Sequence, residues 1–401
     1  MDKSKLWTKD FLIDSMTNLI VYLVYYSLMV SIAIFAMDHF QASAGAAGLA
    51  SGIFIIGGLV ARTFTGRLID QVGRKKTLYA GLCFFFITTL FYFQANSLLL
   101  LMAVRFLHGV GWGISATATG TIIAGIIPHE RLGEGTSYYA MSATIASALG
   151  PFLGIFLIHR GSFNLILVLA CMLLVLCLIA VFFLKVPEAK LSNEQLAEMK
   201  RWTLNNFFEA KAIPISVVGI FFGVGISSIM SFLSPYTKTI NLVDAGSFFF
   251  IIYAATIVLS RPFTGRWFDQ KGGNFVMYPA FLLYALGFII LAEAHNGGMF
   301  LLAAIFAGLG YGTFISSGQA LSVKLSPPHR MGLATSTFFC FVDGGAGIGP
   351  LILGLLMPVT GYRGLYLCTA MLILSCIFIY RFVHERKTKA RDCEHLVLEA
   401  K

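Results

Sequence analysis

Residues 62–73 read RTFTGRLIDQVG, and residues 261–272 read RPFTGRWFDQKG. Eight of the twelve positions are identical at a shift of 199. Both segments are charged islands between long apolar runs. The same shift relates Gly109, Gly111 and Gly113 to Gly308, Gly310 and Gly312, Pro128 and Arg131 to Pro327 and Arg330, and Gly150-Pro151 to Gly349-Pro350. The register persists from one end of this region to the other without a net gap, so the chain is a duplicated half. Whatever the first half builds, the second must build again, and the two copies must pack together.

Apolar stretches long enough to cross about 30 Å of hydrocarbon recur along both copies. Twelve spans are expected, at roughly 11–37, 46–65, 77–94, 97–126, 134–158, 163–185, 210–236, 245–265, 274–293, 297–324, 331–358 and 362–382. Only 12% of the residues are charged and 57% are hydrophobic, so a soluble domain is excluded. The runs do not alternate, which argues against a β-barrel. The first run, Phe11 to Phe35, has no small-residue cleavage site and is too long for a signal peptide, so it reads as a retained helix. The fold class is an all-α polytopic membrane protein of two pseudo-symmetric six-helix bundles. An even number of spans per copy gives both copies the same orientation, related by an axis along the membrane normal. The expected bounds are 1–186 and 210–383 for the bundles, 187–209 for a linker and 384–401 for a tail. The linker is the longest polar stretch, begins with Pro187 and reads as carrying a short amphipathic helix from about Asn193 to Trp202.

Basic residues set the orientation. Lys3, Lys5, Lys9, Arg62, Arg67, Arg74, Lys75, Lys76 and Arg131 fall at one set of span ends, as do Arg261, Arg266, Lys271, Lys324 and Arg330 in the second copy. With the linker and tail this side holds 25 of the 29 Lys and Arg, against three on the other side. Both termini are therefore expected in the cytoplasm, with the chain in the inner membrane. The same bias accounts for the net charge of +10, so nucleic-acid binding is not read into it. The seven cysteines have no metal-ligand spacing to a histidine and read as free thiols. No metal and no cofactor is expected.

The repeated charged segment reads as a tight turn between the second and third spans of each half. Gly66 and its counterpart Gly265 allow close helix approach. Gly73 permits a sharp turn. Asp70 suits a helix N-terminus or a pair with Arg67 or Arg74. Asp269 and Arg266 keep the pattern in the second copy, but Gly273 and Asn274 replace Arg74 and Lys75. The second turn is therefore expected to hold less strongly.

GRLIDQVGRKKTL resembles the loop signature of the major facilitator superfamily, LMAVRFLHGVGWG resembles its fourth-helix motif, and ASALGPFLG resembles the fifth-helix Gly-Pro motif of its twelve-helix drug:proton antiporters. Gln71, His108, Ala146 and Ile155 depart from those patterns. The resemblance implies a secondary transporter that works by alternating access, and proton antiport exporting a drug or metabolite. It also implies a role in proton transfer for Arg105. A proton-coupled importer of a small metabolite is the alternative, and a channel or membrane enzyme is a different class. HExxH, GxSxG and P-loop patterns are not found. The expected partners are a small molecule, protons and lipid, with the chain a monomer.

Few residues can carry the chemistry. Arg105 lies deep in the fourth span, where a charge needs a partner or a wet cavity. His108 follows one turn later and titrates near neutrality when unperturbed. Asp343 is the one carboxylate expected deep in the membrane, either as a proton carrier or as a fixed partner of Arg105. In the first span Asp14 and Asp38 lie near the ends, and Tyr22, Tyr25 and Tyr26 between them could hold an amphipathic substrate. Gly150, Pro151 and Gly154, with Ala146, form a small-residue stripe, repeated by Gly345, Gly349 and Pro350. These stripes are expected to let helices of opposite halves slide on each other.

Overall fold

The computed structural model describes residues 5–160, 163–189 and 191–382. The expected tail, with Cys393, and Lys3 and Lys190 of the charge argument lie outside the described residues. Among the described residues all regular structure is helical. The first half contributes α1 (Lys9–Phe40), α2 (Ala44–Val72), α3 (Arg74–Phe91), α4 (Leu98–Ile126), α5 (Leu132–Arg160) and α6 (Phe163–Phe182). The linker carries the short α7 (Asn193–Lys200). The second half contributes α8 (Ile213–Thr239), α9 (Val243–Lys271), α10 (Gly273–Ala292), α11 (Gly297–Lys324) and α12 (Met331–Tyr380). Eleven of these helices are long and apolar enough to cross a membrane.

α12 supplies two of the twelve spans. A straight helix of 50 residues would be about 75 Å long, more than twice the hydrocarbon thickness. Instead the chain turns at Gly361, whose φ of 65° is open to glycine. The first arm runs alongside α8, with Gly345 against Ile220 and Gly349 against Val224. The second arm returns: Tyr366 packs on Tyr236 at the far end of α8, and the Tyr380 hydroxyl reaches Asn274 at the start of α10.

Local chemistry fixes the ends. Thr8, Ser43, Ser97 and Asn296 cap their helices by accepting a backbone N–H. Ser192 and Gln195 form a reciprocal capping box on α7, which ends at Lys200, two residues earlier than expected, with Arg201 extended. Gly73 (φ 109°) and Gly272 (φ 86°) make single-residue turns into α3 and α10, a conformation that disfavours any side chain.

Each half packs on its own terms, α1 on α5 and α2 on α4 in the first, α8 on α12 and α9 on α11 in the second. The halves meet along two seams, α2 with α12 and α5 with α9. The shift of 199 exchanges one seam for the other. Pseudo-two-fold symmetry is thereby written into the interface as well as the sequence.

The small-residue stripes do not lie in these seams, contrary to expectation. A Cβ on Gly150 would overlap Tyr26, and one on Gly154 would overlap Ser27, both on α1 of the same half. Gly345 and Gly349 likewise face α8. The seams are thinned by other glycines. Gly66 lies against Ser336, Gly332 against Ile69, and Gly133 and Gly265 against each other.

Candidate functional site

The linker-side end of the seams is closed by two matching carboxylates. Asp70, near the end of α2, accepts the Gly332 N–H at 3.1 Å, where α12 begins. Asp269, near the end of α9, accepts the N–H groups of Gly133 (2.7 Å) and Glu134 (2.8 Å), where α5 begins. Each acid thus satisfies orphan donors at the positive end of a helix from the other half. Arg74 pairs with Asp70 at 2.8 Å and donates to the carbonyls of Pro187 and Pro328, tying the turn to linker and partner half together. Arg67 does not pair with Asp70. Its guanidinium donates to the Lys200 and Arg201 carbonyls and lies over Trp202 and Phe207.

The second turn, which lacks the counterparts of Arg74 and Lys75, carries a different set of charges. Glu134 pairs with both Arg131 (2.8 Å) and Arg266 (2.9 Å), and the latter bond crosses the seam. The position equivalent to Glu134 in the other copy is Leu333. Both turns cap a helix of the opposite half, with different charges around the capping acid.

Beyond this closure a cavity of about 160 Å³ lies between the halves. Tyr22, Tyr26 and Tyr139 line it from the first half, and Tyr253, Tyr311, Arg261 and Asp343 from the second. Asn18 connects its wall to a polar chain, donating to Ser142 (2.7 Å) and accepting from Thr119 (3.1 Å), which in turn accepts from Tyr139 (3.0 Å).

Asp343 pairs across the seam with Arg62 at 2.9 Å. The arginine is enclosed, at 1% exposed, while a quarter of the Asp343 side chain is open to the cavity. Arg62 also lies over the Trp112 ring at 4.6 Å and reaches the Tyr22 hydroxyl at 3.5 Å. The partner expected for Asp343, Arg105, is elsewhere. Arg62 does not sit at a span end as its sequence suggests: α2 continues ten residues past it, about 15 Å of helix.

Arg105 and His108 point into the first half. Arg105 is fully buried over the Phe54 ring at 4.3 Å. His108 stacks on Phe85 at 4.3 Å and shares a hydrogen bond with Thr89 at 3.1 Å. Neither lines the cavity. Tyr25 also turns away, stacked on Phe54 and tilted against Trp112. Asp14, expected near a helix end, is fully buried, and neither carboxyl oxygen has a hydrogen-bond partner among the described residues. Among the described residues no cluster of His, Cys, Asp and Glu is arranged to hold a metal ion.

The family model described as Major Facilitator Superfamily matches residues 15–292 and, overlapping them, 215–394. The chain belongs to the major facilitator superfamily. As a major facilitator protein it is a multi-pass membrane transporter and not an enzyme. It is 24% identical over 359 residues to the uncharacterized MFS-type transporter YhhS of Escherichia coli K12, covering 87% of this chain and 85% of the relative. It is 26% identical over 301 residues to the multidrug resistance protein MdtL of Escherichia coli O157:H7, covering 72% and 74%. The human organic anion transporter MFSD10 shares the fold with a TM-score of 0.75 at 15% identity, over 93% of this chain and 99% of that structure. The major facilitator architecture accounts for both the duplicated turn and the central cavity.

Proposed function

We propose that this transporter is coupled to protons, that Asp343 takes and releases them, and that the cargo is a small amphipathic compound. The carrying observation is the Arg62–Asp343 pair across the α2–α12 seam. Rocking the halves to open the linker side separates α2 from α12. A carboxylate held deep between the halves, and only partly open to the cavity, is costly to leave charged and unpaired, so a proton then replaces the guanidinium as its neutralising partner. Protonation and opening thereby become one event. Tyr22 and Tyr26 offer rings and hydroxyls to an amphipathic cargo.

Export by proton antiport is supported by the similarity to MdtL and by the Gly150-Pro151 motif. Uptake together with a proton is a second reading, supported by the positive charge of Arg261 on the cavity wall. The basic residues on the linker side support cytoplasmic termini, and the bacterial relatives support an inner-membrane location.

Inverted membrane vesicles test this reading with compounds chosen by a growth screen of an overexpressing strain. An acid-inside gradient should drive accumulation by an exporting antiporter and depletion by a symporter. A saturable flux indifferent to the gradient would overturn proton coupling.

A further inference from the structure

The shift of 199 that builds the fold also relates the two sides of the cavity. Arg62 corresponds to Arg261, and Asp343 corresponds to Thr144. The structure keeps the correspondence in space. Arg62 meets Asp343 across one seam at 2.9 Å, and Arg261 meets Thr144 across the other, donating to its hydroxyl at 3.3 Å. One pair is an ion pair. The other is an arginine facing a hydroxyl where its twin faces a carboxylate.

Among the described residues Arg261 is consequently a buried cation without a counter-ion. It is 3% exposed, and its second contact, to the Ser137 carbonyl, is long at 3.4 Å. Its Nε has no hydrogen-bond partner. The phenols of Tyr253 and Tyr311 lie near it, and among the described residues no carboxylate is within ion-pair distance of it. All three residues line the cavity, and the Tyr253 hydroxyl is itself unpartnered. A planar guanidinium with an unmet donor, on the same cavity wall as an unmet phenol, has the chemistry to take a carboxylate.

We infer that Arg261 and Tyr253 form the docking site for a carboxylate on the transported molecule, which supplies the counter-ion that Thr144 does not. The inference deepens the transport reading, since it names the charge of the cargo, but it does not depend on proton coupling.

The test uses the purified full-length chain in detergent at one fixed pH, without a gradient. The probes are hexanoate and 2-naphthoate, each beside its carboxamide and the matching primary amine. Binding is titrated by intrinsic fluorescence and by thermal shift. At least one carboxylate should bind about tenfold or more tightly than its amide and amine, since a charge-assisted pair replaces an unmet donor. Arg261→Gln should erase that preference. Thr144→Asp should also erase it, because an internal carboxylate then occupies the site. The same variant should melt at a higher temperature than wild type, whereas Thr144→Asn should not.

Tighter binding of the amines or amides, or a carboxylate preference that survives Arg261→Gln, would overturn the site. If Arg261→Gln fails to fold, Thr144→Asp decides. Undiminished carboxylate binding by that variant, or no gain in melting temperature, counts against the inference. Carboxylate binding that depends on Arg261, combined with flux blind to a pH gradient, would instead retire proton coupling and leave the site standing.

Discussion

Arg62 and Asp343 meet across the α2–α12 seam ten and twelve residues from the linker-side ends of their helices. The contact joins the two halves near mid-membrane, where an isolated charge is most expensive. Asp343→Asn is expected to abolish gradient-driven transport and to spare substrate exchange at equal pH. Arg62→Gln should lower membrane abundance, because it strands a carboxylate only partly open to the cavity, at a cost of up to about 3–5 kcal/mol. The double variant should recover abundance but not driven transport. Immunoblots of membranes and flux at two pH values measure these outcomes. Driven transport by Asp343→Asn would move the proton elsewhere, and the unpartnered Asp14 becomes the next group to test.

Asp70→Asn and Asp269→Asn should impair transport to a similar degree. Each removes a charged cap from a helix of the opposite half, an effect of about 0.5–2 kcal/mol on the closed state. Crosslinking of cysteines introduced on either side of each seam would report the loss of closure. A large disparity between the two variants would mean that Arg74 and Glu134 do not play equivalent parts.

Gly265→Val and Gly150→Val should fail differently. The first places a side chain in the α5–α9 seam, against Gly133 and Ser137. It should leave the protein inserted but unable to close its linker side. The second forces α5 from α1 within one half. Overpacking of this kind costs typically about 1–3 kcal/mol and should lower abundance and melting temperature first. Thermal unfolding in detergent alongside flux separates the two.

His108→Asn should leave driven transport close to wild type after correction for abundance. The ring is enclosed by Phe85, Tyr92 and Phe54, away from the cavity. A loss of flux with normal abundance would show that a proton route passes through the first half.

Much of the architecture was legible in the residues alone. The twelve spans, their parity and the repeated turn follow from hydrophobic length and a period of 199, both of which are properties of the chain itself. The partner of Asp343 was not legible. A run of sequence shows that Arg62 is basic and near a turn, but only packing shows that α2 carries it deep into the seam. Arg105 misled because depth in a span does not say which face a side chain occupies. The stripes of Gly150 and Gly349 misled likewise, since close packing within a half and between halves needs the same small residues. The sequence does carry one further signal: applying the repeat to Asp343 arrives at Thr144.

On the proposed assignment of the proton to Asp343 and the carboxylate to Arg261, that single substitution in an otherwise matched pair also sets the electrical behaviour of the carrier. With the site empty and Asp343 ionised, Arg62, Asp343 and Arg261 sum to one positive charge. Adding a proton together with a carboxylate leaves the sum unchanged, so cotransport would be electroneutral and blind to the membrane potential. Exchange is different, because the carboxylate-loaded form is neutral and the proton-loaded form carries two positive charges. Two charges would then cross the field in each cycle, at roughly 2.3 kcal/mol per charge for every 100 mV. With the voltage clamped by a potassium gradient and valinomycin, a carboxylate flux that follows the potential marks an exchanger, and one that ignores it marks a cotransporter.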